Sequence, residues 1–434
     1  MKPKTLKQVL LRLIRETAGE REHLLNPDSD FTRNRKLSFD TTVKLILSMG
    51  GKTLDKELLD FFHLSLDTVT SSAFVQQRAK ISYTAFEKLF HSFTQKSDCS
   101  RFYRGFRLFA IDGSDIHIPT NPNDPESFYP GVNGWKPYNL LHLNVLYDLL
   151  SHTYQDAILQ KGVSDENGAV IDMLRRSTVP NVLLIADRGY ESYNLMAHCQ
   201  EKDWRFLIRV KDLTRTGIAA SLHLPCSDQF DTPVSLSITR RQAKPARTLP
   251  NYKFLPSNAR FDFLPRTSRK NDPILFYPLH FRVVRFKITP DSYETVLTNL
   301  PADSFPSSAL KKLYSMRWGI ETSFRELKYT IGLLHFHSKK TEHIFQEVFA
   351  ALTMYNFAKS ITCSVVIRFA QRKYLYQVDF SQAAYICRQF FRSNISPPSV
   401  ETLIARYIVP IRPDRHNIRH LANKFASSFI CRVA

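Results

Sequence analysis

The stretch FRLFAID, residues 106–112, is a short apolar run that ends in an aspartate, and NVLLIAD, residues 181–187, has the same arrangement. Both runs are typical of buried strands. Asp112 and Asp187 would meet at one edge of a sheet if the two strands were neighbours in it. Taken singly, an aspartate that follows a strand more often begins a turn or caps the next helix.

The segments around these two strands complete a regular order. Two strands are predicted at HLNVLYD (142–148) and TYQDAILQ (153–160). Two helices are predicted at ENGAVIDMLRRS (166–177) and residues 191–203, and a last strand is predicted at RFLIRVK (205–211). With the two aspartate strands included, the order is three strands, helix, strand, helix, strand. Such alternation favours an α/β core, whose first part we place at residues 103–211.

The first 102 residues have the apolar spacing of short amphipathic helices. The spacing is clearest at Leu6–Ile14, Thr41–Leu47, Leu54–Phe62 and Tyr83–Phe93. Three cations, Arg33, Arg35 and Lys36, cluster in a loop of this region. We therefore predict a helical N-terminal DNA-binding domain at residues 1–102.

Beyond the first part of the core, the chain divides into three further regions. Residues 212–300 are rich in Pro and Arg and lack helical periodicity, which predicts a β-rich insertion. Helical spacing returns in residues 301–335, which we assign to the last part of the core. Residues 336–434 are predicted to form a helical C-terminal region.

The net charge restricts the class of partner. Sixty Lys and Arg against forty Asp and Glu give a formal charge of +20. Such an excess favours DNA, because each cation placed on a phosphate releases a condensed counterion. An ordinary basic surface or an anionic membrane would also account for the charge, but no apolar run approaches the ~18 residues that span a bilayer. Arg12 and Arg15 interrupt the apolar stretch at the N-terminus, which argues against a signal peptide. We expect a cytoplasmic protein with no membrane partner.

Cysteine and histidine spacing argues against a structural zinc site. The six cysteines are scattered without a C-x-x-C pair, so neither a disulfide framework nor a cysteine zinc site is expected, and buried free thiols are predicted. His335, His337 and His343 fit no common zinc spacing. The neighbouring Lys339 and Lys340 favour a DNA contact instead.

A third acid lies on a helix that is predicted from residue 309 to residue 333. At roughly 100° per residue, one narrow stripe of this helix contains Tyr314, Arg317, Glu321 and Lys328. An apolar stripe beside it is expected to face the sheet. A carboxylate flanked by cations and a phenol suits a metal ligand next to phosphate-binding groups. The plainer alternative is a partly solvated helix with an i,i+4 ion pair between Arg317 and Glu321.

Three carboxylates that are brought together repel one another, and a divalent cation with oxygen ligands relieves this repulsion. Phosphodiester chemistry commonly uses two such ions about 3.5–4 Å apart, one activating the nucleophile and one stabilising the leaving oxygen. If Asp112, Asp187 and Glu321 converge, they would therefore hold Mg²⁺ or Mn²⁺, with two ions expected.

Three neighbours of these acids have weaker signals. Asp115 would point to the opposite face of a strand from Asp112, so a turn or a supporting role is expected for it. Arg188 follows Asp187 in a turn and is expected to reach a phosphate. Trp318 borders the helical stripe, and core packing is expected for it rather than stacking on a base.

The spacing Tyr314-(2)-Arg317-(3)-Glu321-(6)-Lys328, together with DGS at Asp112 and ADRGY at Asp187, resembles the DDE transposases of bacterial insertion sequences. The resemblance is greatest to the group with a Tyr-Arg-Glu-Lys signature, and it covers residues 103–335. It implies a ribonuclease H-like core interrupted by a β insertion before the glutamate.

The resemblance also assigns roles to individual residues. It implies that Asp112, Asp187 and Glu321 hold the metal ions and that Tyr314, Arg317 and Lys328 hold DNA phosphates near the cleaved end. Relatives often stack a flipped base on an aromatic residue of the insertion, frequently Trp. Residues 212–300 contain no Trp, which leaves Tyr252, Phe254 and Phe276 for that role.

The fold expected from these observations is α/β, a ribonuclease H-like core with a β-rich insertion, flanked by helical N- and C-terminal regions. The expected reaction is metal-dependent hydrolysis at transposon ends, followed by attack of the freed 3′-hydroxyl on target DNA. The expected partner is double-stranded DNA, both the ends and the target, bound by a homodimer in the bacterial cytoplasm. Two alternatives are a ribonuclease H-like nuclease or junction resolvase, and a non-catalytic DNA-binding protein derived from a transposase. The three intact acids count against the second.

Overall fold

A mixed sheet of ten strands forms the centre of the structure, a computed structural model that describes residues 1–33, 35–131, 136–211, 213, 216–242, 251–266, 272–290, 292–367, 374–393 and 399–411. Its strands are β1 (Arg107–Ile118), β2 (Phe128–Tyr129), β3 (Tyr138–Asp148), β4 (Thr153–Lys161), β5 (Val182–Ala186), β6 (Arg205–Arg209), β7 (Phe230–Thr239), β8 (Tyr252–Phe254), β9 (Tyr277–Thr289) and β10 (Ser292–Thr298). Hydrogen-bonded neighbours follow the order β2-β3-β1-β5-β6-β10-β9-β7-β8, and β4 also pairs with β3.

Helices cover both faces of this sheet. They are α1 (Pro3–Ala18), α2 (Phe39–Ser48), α3 (Leu54–Phe61), α4 (Ser71–Arg78), α5 (Tyr83–Lys96), α6 (Glu166–Arg176), α7 (Tyr193–Glu201), α8 (Ser307–Met316), α9 (Trp318–Arg325), α10 (Thr341–Thr362), α11 (Phe380–Arg392) and α12 (Val400–Ile404). A two-stranded antiparallel sheet, β11 (Leu375–Val378) with β12 (Ile408–Ile411), lies among the last helices.

The first five long strands have the order that the sequence predicts for a ribonuclease H-like core. β1 is antiparallel to β3, and β3 is antiparallel to β4. β5 then pairs parallel to β1, and β6 pairs parallel to β5. Helices α6 and α7 connect the later strands. The fold class expected from the sequence is therefore confirmed.

β5 shows why an uninterrupted apolar run forms this central strand. Its five residues are all buried. Because successive side chains of a strand point to opposite faces, Leu183 and Ile185 enter one core while Val182, Leu184 and Ala186 enter the other. The first core contains side chains of α1, α2, α5 and α10, and the second contains those of α6 and α7.

The strands of the region 212–300 extend the core sheet. β10 pairs antiparallel to β6, β9 pairs with β10, and β7 pairs with β9. The β-rich character agrees with the sequence, but the strands continue the same sheet. The division of the chain into domains at the boundaries given above stays a prediction.

The expectation that the first aspartate strand ends at Asp112 is wrong. β1 continues to Ile118, because β3 pairs with it from Phe109 to Ile118. Only the parallel pairing with β5 stops early, at Ala110. Asp112 therefore lies within a strand, just beyond the point at which its second neighbour ends.

The helix expected from residue 309 to residue 333 is divided into three pieces. α8 and α9 meet at Arg317, and a π-helical turn (Glu326–Ile331) follows α9. Gly332 ends this turn in the left-handed region, at φ 94°, a conformation that glycine adopts at little cost.

The N-terminal helices share the first core with α10, so the N-terminal region packs against the C-terminal part of the chain. All four helical segments expected in residues 1–102 are present, and α4 is an additional helix. Among the described residues after 336, the C-terminal region contains α10, α11 and α12 together with β11 and β12, two strands that sequence periodicity did not reveal. No helix among the described residues combines the length and apolar character needed to cross a membrane.

The described cysteines are free thiols, but the expectation that they are buried is only partly correct. Cys199 and Cys387 are buried, whereas Cys226 is exposed and both Cys99 and Cys363 are half-buried. Cys431 lies outside the described residues.

Candidate active site

The two aspartates lie at the carboxyl edge of the parallel strands β1 and β5. Asp187 directly follows β5, and Asp112 lies two residues beyond Ala110, which pairs with Ile185. The Asp112 side chain is 28% exposed, and Asp187 is half-buried. The chain therefore brings two acids from distant sequence positions to one partly open edge of the sheet.

Arg317 connects this edge to the third acid. Its Nη2 donates to Glu321 Oε1 at 2.9 Å, and its Nη1 lies 4.0 Å from Asp112 Oδ2. Its side chain is only 4% exposed. The i,i+4 ion pair that a solvated helix would also show is thus present, but it lies at the junction of the helix with the sheet.

Tyr314 makes the corresponding contact to the second aspartate. Its hydroxyl donates to Asp187 Oδ1 at 3.4 Å. Burial raises the pKa of Tyr314 to about 12, and the negative charge of Asp187 adds to the rise. The phenol therefore stays protonated and remains a hydrogen-bond donor.

Apolar packing holds the α8–α9 segment in this position. Of the six residues predicted for the apolar stripe, Met316 is half-buried against the first core, and the other five are buried in it: Leu313, Ile320, Phe324, Leu327 and Ile331. The predicted helical stripe is correct in this respect, because Tyr314, Arg317 and Glu321 lie beside these apolar residues on the same helical segment.

Lys328 and Arg188 lie at the margins of the site. The Lys328 ammonium donates to Ser114 Oγ and to the backbone carbonyl of Asp115, both at 2.8 Å. Arg188 is exposed, and its backbone N–H donates to Asp187 Oδ1 at 2.6 Å. Lys328 thus contacts β1 in this structure, whereas the Arg188 side chain extends from the turn that follows Asp187.

Burial is the main reason that the pKa of Asp112 is raised, to about 6. The Gly113 backbone N–H at 2.9 Å and the charge of Arg317 oppose the rise, while the charges of Glu321 and Glu166 add to it. One arginine does not neutralise the group.

Two residues that the sequence did not single out belong to the same surroundings. His142 Nδ1 lies 2.7 Å from Asp115 Oδ1, and its Nε2 forms an ion pair with Glu166 Oε1 at 3.2 Å. Burial alone would lower the pKa of His142, but the two carboxylates outweigh it and raise that pKa to about 9. The imidazole is therefore a cation at neutral pH.

The glycine of the DGS motif has a steric reason. A Cβ atom added to Gly113 would lie too close to His142 Nε2 and 2.9 Å from Glu166 Oε1. Asp115 lies in β1 and not in a turn, and its carboxylate holds His142. The supporting role expected for Asp115 agrees with this contact.

The three acids are less tightly clustered than a preformed metal cage. Among described residues, the three ligand side chains whose ligand atoms all lie within 4.8 Å of one another are Glu20, Glu22 and His23. Lys88 already pairs with both of those glutamates. The convergence of Asp112, Asp187 and Glu321 on metal ions stays a prediction.

The expectation that Trp318 packs in the core is wrong. Its side chain is 49% exposed, and the Arg317 guanidinium lies 5.1 Å from its ring centroid. The helix turns this indole outward beside Glu321. In the β-rich region, Tyr252 and Phe254 are half-buried and Phe276 is 37% exposed.

The chain matches a known protein family and an individual relative. The family model described as Transposase DDE domain matches residues 103–357. The transposase InsG for insertion sequence element IS4 of Escherichia coli (strain K12) is 24% identical over 303 residues, which cover 67% of this chain and 61% of that protein. The match thus spans under two thirds of that relative's length.

A solved structure is also similar. The cryo-EM structure of the piggyBac transposase synaptic complex with hairpin DNA superposes with a TM-score of 0.45 at 10% identity, over 93% of this chain and 84% of that one. The range matched by the family model contains every candidate site residue described above.

Proposed function

The chain belongs to the Transposase DDE domain family, and from this premise we propose that it is a DNA transposase that cleaves transposon ends and joins them to target DNA. We assign it, within that family, to the group with the Tyr-Arg-Glu-Lys signature. Asp112, Asp187 and Glu321 are the catalytic carboxylates of this proposal. Its site of action is bacterial DNA in the cytoplasm.

The position of Arg317 is the observation that carries the proposal. One buried guanidinium pairs with Glu321 on α9 and approaches Asp112 on β1, while Tyr314 of the preceding turn bonds Asp187 after β5. Residues separated by more than 200 positions therefore meet at one edge of the sheet. A merely solvated helix would not direct these side chains to that edge.

Divalent metal ions are a general requirement of this family, and the donor set fits them. Carboxylate oxygens are the preferred ligands of Mg²⁺ and Mn²⁺. Asp112, Asp187 and Glu321 would hold two such ions, which supply an activated hydroxyl nucleophile and stabilise the leaving oxygen. The charges of Glu321 and Glu166 add to the rise that burial causes in the pKa of Asp112, and a bound cation would offset this negative charge.

The remaining residues of the stripe position the DNA. Arg317 and Lys328 lie where a phosphate next to the carboxylates would need cations, and the Tyr314 hydroxyl is a neutral donor beside Asp187. Arg188 is exposed next to the same aspartate and is free to approach a second phosphate. Because cleavage and joining need two ends held together, the protein acts on DNA as a homodimer.

The test uses the full-length protein and a supercoiled plasmid that carries the DNA flanking its gene. With Mg²⁺ we expect 3′-hydroxyl ends at short inverted repeats and insertion of those ends into a second plasmid. Glu321→Gln should abolish both reactions while end binding persists. Cleavage without joining would indicate a nuclease or resolvase, and specific binding without cleavage would indicate a non-catalytic DNA-binding protein.

A further inference from the structure

A fourth carboxylate, that of Glu166, lies near the segments that carry Asp112 and Asp187. Glu166 is the first residue of α6. A Cβ atom added to Gly113 would lie 2.9 Å from Glu166 Oε1, and one added to Gly189 would lie 3.8 Å from Glu166 Oε2. Gly113 follows Asp112, and Gly189 comes two residues after Asp187. The Glu166 carboxylate therefore lies between the two segments that carry the aspartates.

Tyr190 gives an independent indication that a polar group binds here. The residue is 2% exposed, and its hydroxyl has no hydrogen-bond partner in the described part of the chain. The charges of Glu166, Asp112 and Asp187 surround it closely enough to add to the rise that burial causes in its pKa. Buried hydroxyls are nearly always paired, because an unpaired one costs free energy. This hydroxyl is placed to pair with a group held by those acids.

We propose that Glu166 is a fourth carboxylate of the metal site and that His142 is the positioning residue that holds it there. The inference rests on the proposed function, since it takes Asp112, Asp187 and Glu321 to hold the metal ions. It adds a residue from a different element, the start of α6, to that set.

The contacts of His142 explain how the carboxylate is held. His142 is 7% exposed and sits on β3 opposite Asp115 of β1. One ring nitrogen contacts Asp115 and the other contacts Glu166. Lys328 in turn fixes the Asp115 backbone carbonyl. Carboxylates that hold metals are commonly oriented by such neighbours, and removal of the neighbour weakens metal binding.

The test measures Mn²⁺ binding to the full-length protein without DNA, by electron paramagnetic resonance of the free ion. Glu166→Gln should weaken the Mn²⁺ affinity by about tenfold. Asp165→Asn is the matched control, because it removes the adjacent charge but keeps an oxygen that can accept from the Gly168 N–H. We expect Asp165→Asn to bind Mn²⁺ as the wild type does.

Asp187→Asn separates this inference from the proposed function. If Asp187→Asn weakens Mn²⁺ binding and Glu166→Gln does not, Glu166 is not part of the metal site, and the proposed site of three carboxylates stands. If neither variant weakens binding, the proposed metal site itself is wrong. An equal loss in Asp165→Asn and Glu166→Gln would also overturn the inference, since it would trace the effect to the start of α6.

The positioning role of His142 has its own readout. His142→Gln should weaken Mn²⁺ binding several-fold in the wild-type background and cause no further loss in the Glu166→Gln background. Residues that act through one another show such non-additivity in a double-mutant cycle. A loss of equal size in both backgrounds would mean that His142 only supports the fold, and would overturn its positioning role.

Discussion

Two carboxylates of this chain, Asp112 and Glu347, are both largely removed from solvent, yet their pKa values shift in opposite directions. Burial raises both. At Asp112 the opposing charge is insufficient, and the pKa rises to about 6. At Glu347 the charge of Arg78 and the bonds of His337 outweigh burial and lower the pKa to about 2.

The surroundings of Glu347 explain its low pKa. Arg78 Nη1 lies 2.8 Å from Glu347 Oε1, and the His337 backbone N–H donates to Glu347 Oε2 at 3.0 Å. The other donors of Arg78 are satisfied by Gln346 and by the backbone carbonyl of His343. The pair links α4 to α10 and is complete without a further ion.

Glu347 belongs to a structural ion pair, whereas Asp112 belongs to the cluster that we propose to be functional. A buried pair is tolerated when each charge and each donor is satisfied. A half-exposed group whose acids outnumber its cations is unfavourable for the metal-free fold, and such groups are found where a ligand supplies the missing charge. We propose that Asp112, Asp187, Glu321 and Glu166 form a group of that kind.

At the proposed functional cluster, Asp187→Asn should have the largest effect on strand cleavage. Strand cleavage should fall by roughly 10⁴-fold, a typical loss for a catalytic residue, because the charge that holds the metal is removed. End binding should stay intact or become slightly stronger, since a negative charge near phosphate is lost. Cleavage assays and band shifts measure the two effects. The control is Asp172→Asn, an exposed aspartate of α6, and equal losses of binding and cleavage would instead indicate misfolding.

At the structural ion pair, Arg78→Ala should have the largest effect on the free energy of unfolding. It leaves the Glu347 carboxylate buried and uncompensated, which should lower the free energy of unfolding by about 3–5 kcal/mol. The urea midpoint measures the change. Arg12→Ala breaks an exposed pair with Glu16 and should cost under about 1 kcal/mol. A change in Mn²⁺ affinity of folded Arg78→Ala would contradict the separation of the two regions.

The pH dependence of stability should differ in sign between the two carboxylates. The pKa of Glu347 is lowered, so its contribution is present above about pH 4.5 and is lost as the pH falls toward 2. The pKa of Asp112 is raised, so it destabilises the metal-free fold as the pH rises from about 4 to above 6.

Asp112→Asn tests this sign. Without metal it should stabilise the protein at pH 8 by about 1–2 kcal/mol, an amount reduced for its partial exposure, and should have little effect at pH 4. Thermal unfolding in the presence of a chelator measures the difference. Saturating Mg²⁺ should favour the wild type over the variant, because ligand binding stabilises only a fold that binds it. A variant less stable than the wild type at pH 8 without metal would refute the assignment.

The core strands were predictable because their signal is local. An apolar run such as Val182–Ala186 favours a strand that is buried on both faces, so the sequence alone indicates a central strand. The continuation of β1 past Asp112 depends on where its neighbours end, which is not encoded in β1 itself. The pairing of β10 with β6 likewise joins segments about 90 residues apart, and no periodicity within either strand reports it.

The site was predictable where one helix carries it and not where several elements meet. Tyr314, Arg317 and Glu321 share a helical stripe, which the residue spacing shows. The sequence did not single out Glu166, because an acid at the start of a helix is explained by the helix dipole alone. Trp318 was misplaced because a straight helical wheel cannot show which edge of a buried stripe opens to solvent.

Lys328 should give the smallest effect, because it has protein partners as well as a proposed phosphate. Its ammonium is half-buried and bonded to Ser114 Oγ and the Asp115 carbonyl. Burial lowers its pKa, and the charge of Asp115 opposes that change. A lysine held in this way is a fixed point charge, which suits contact with the DNA backbone more than recognition of a base.

Lys328→Ala should therefore weaken end binding by a similar factor on cognate and scrambled ends, and should reduce the slope of log affinity against log salt by about 0.9. Arg317→Ala should lower the slope similarly and also slow cleavage in bound complexes, because it orients Glu321. Lys96→Ala is the control, because this exposed lysine lies away from the candidate site. It ends α5 close to Asp98, and Asp98 pairs with Arg107 at the start of β1, the opposite end of that strand from the site. Binding measured by fluorescence anisotropy across a salt series decides the matter. If Lys328→Ala keeps the wild-type slope on both DNAs, Lys328 only fastens the helix to β1, and its place in the signature is structural.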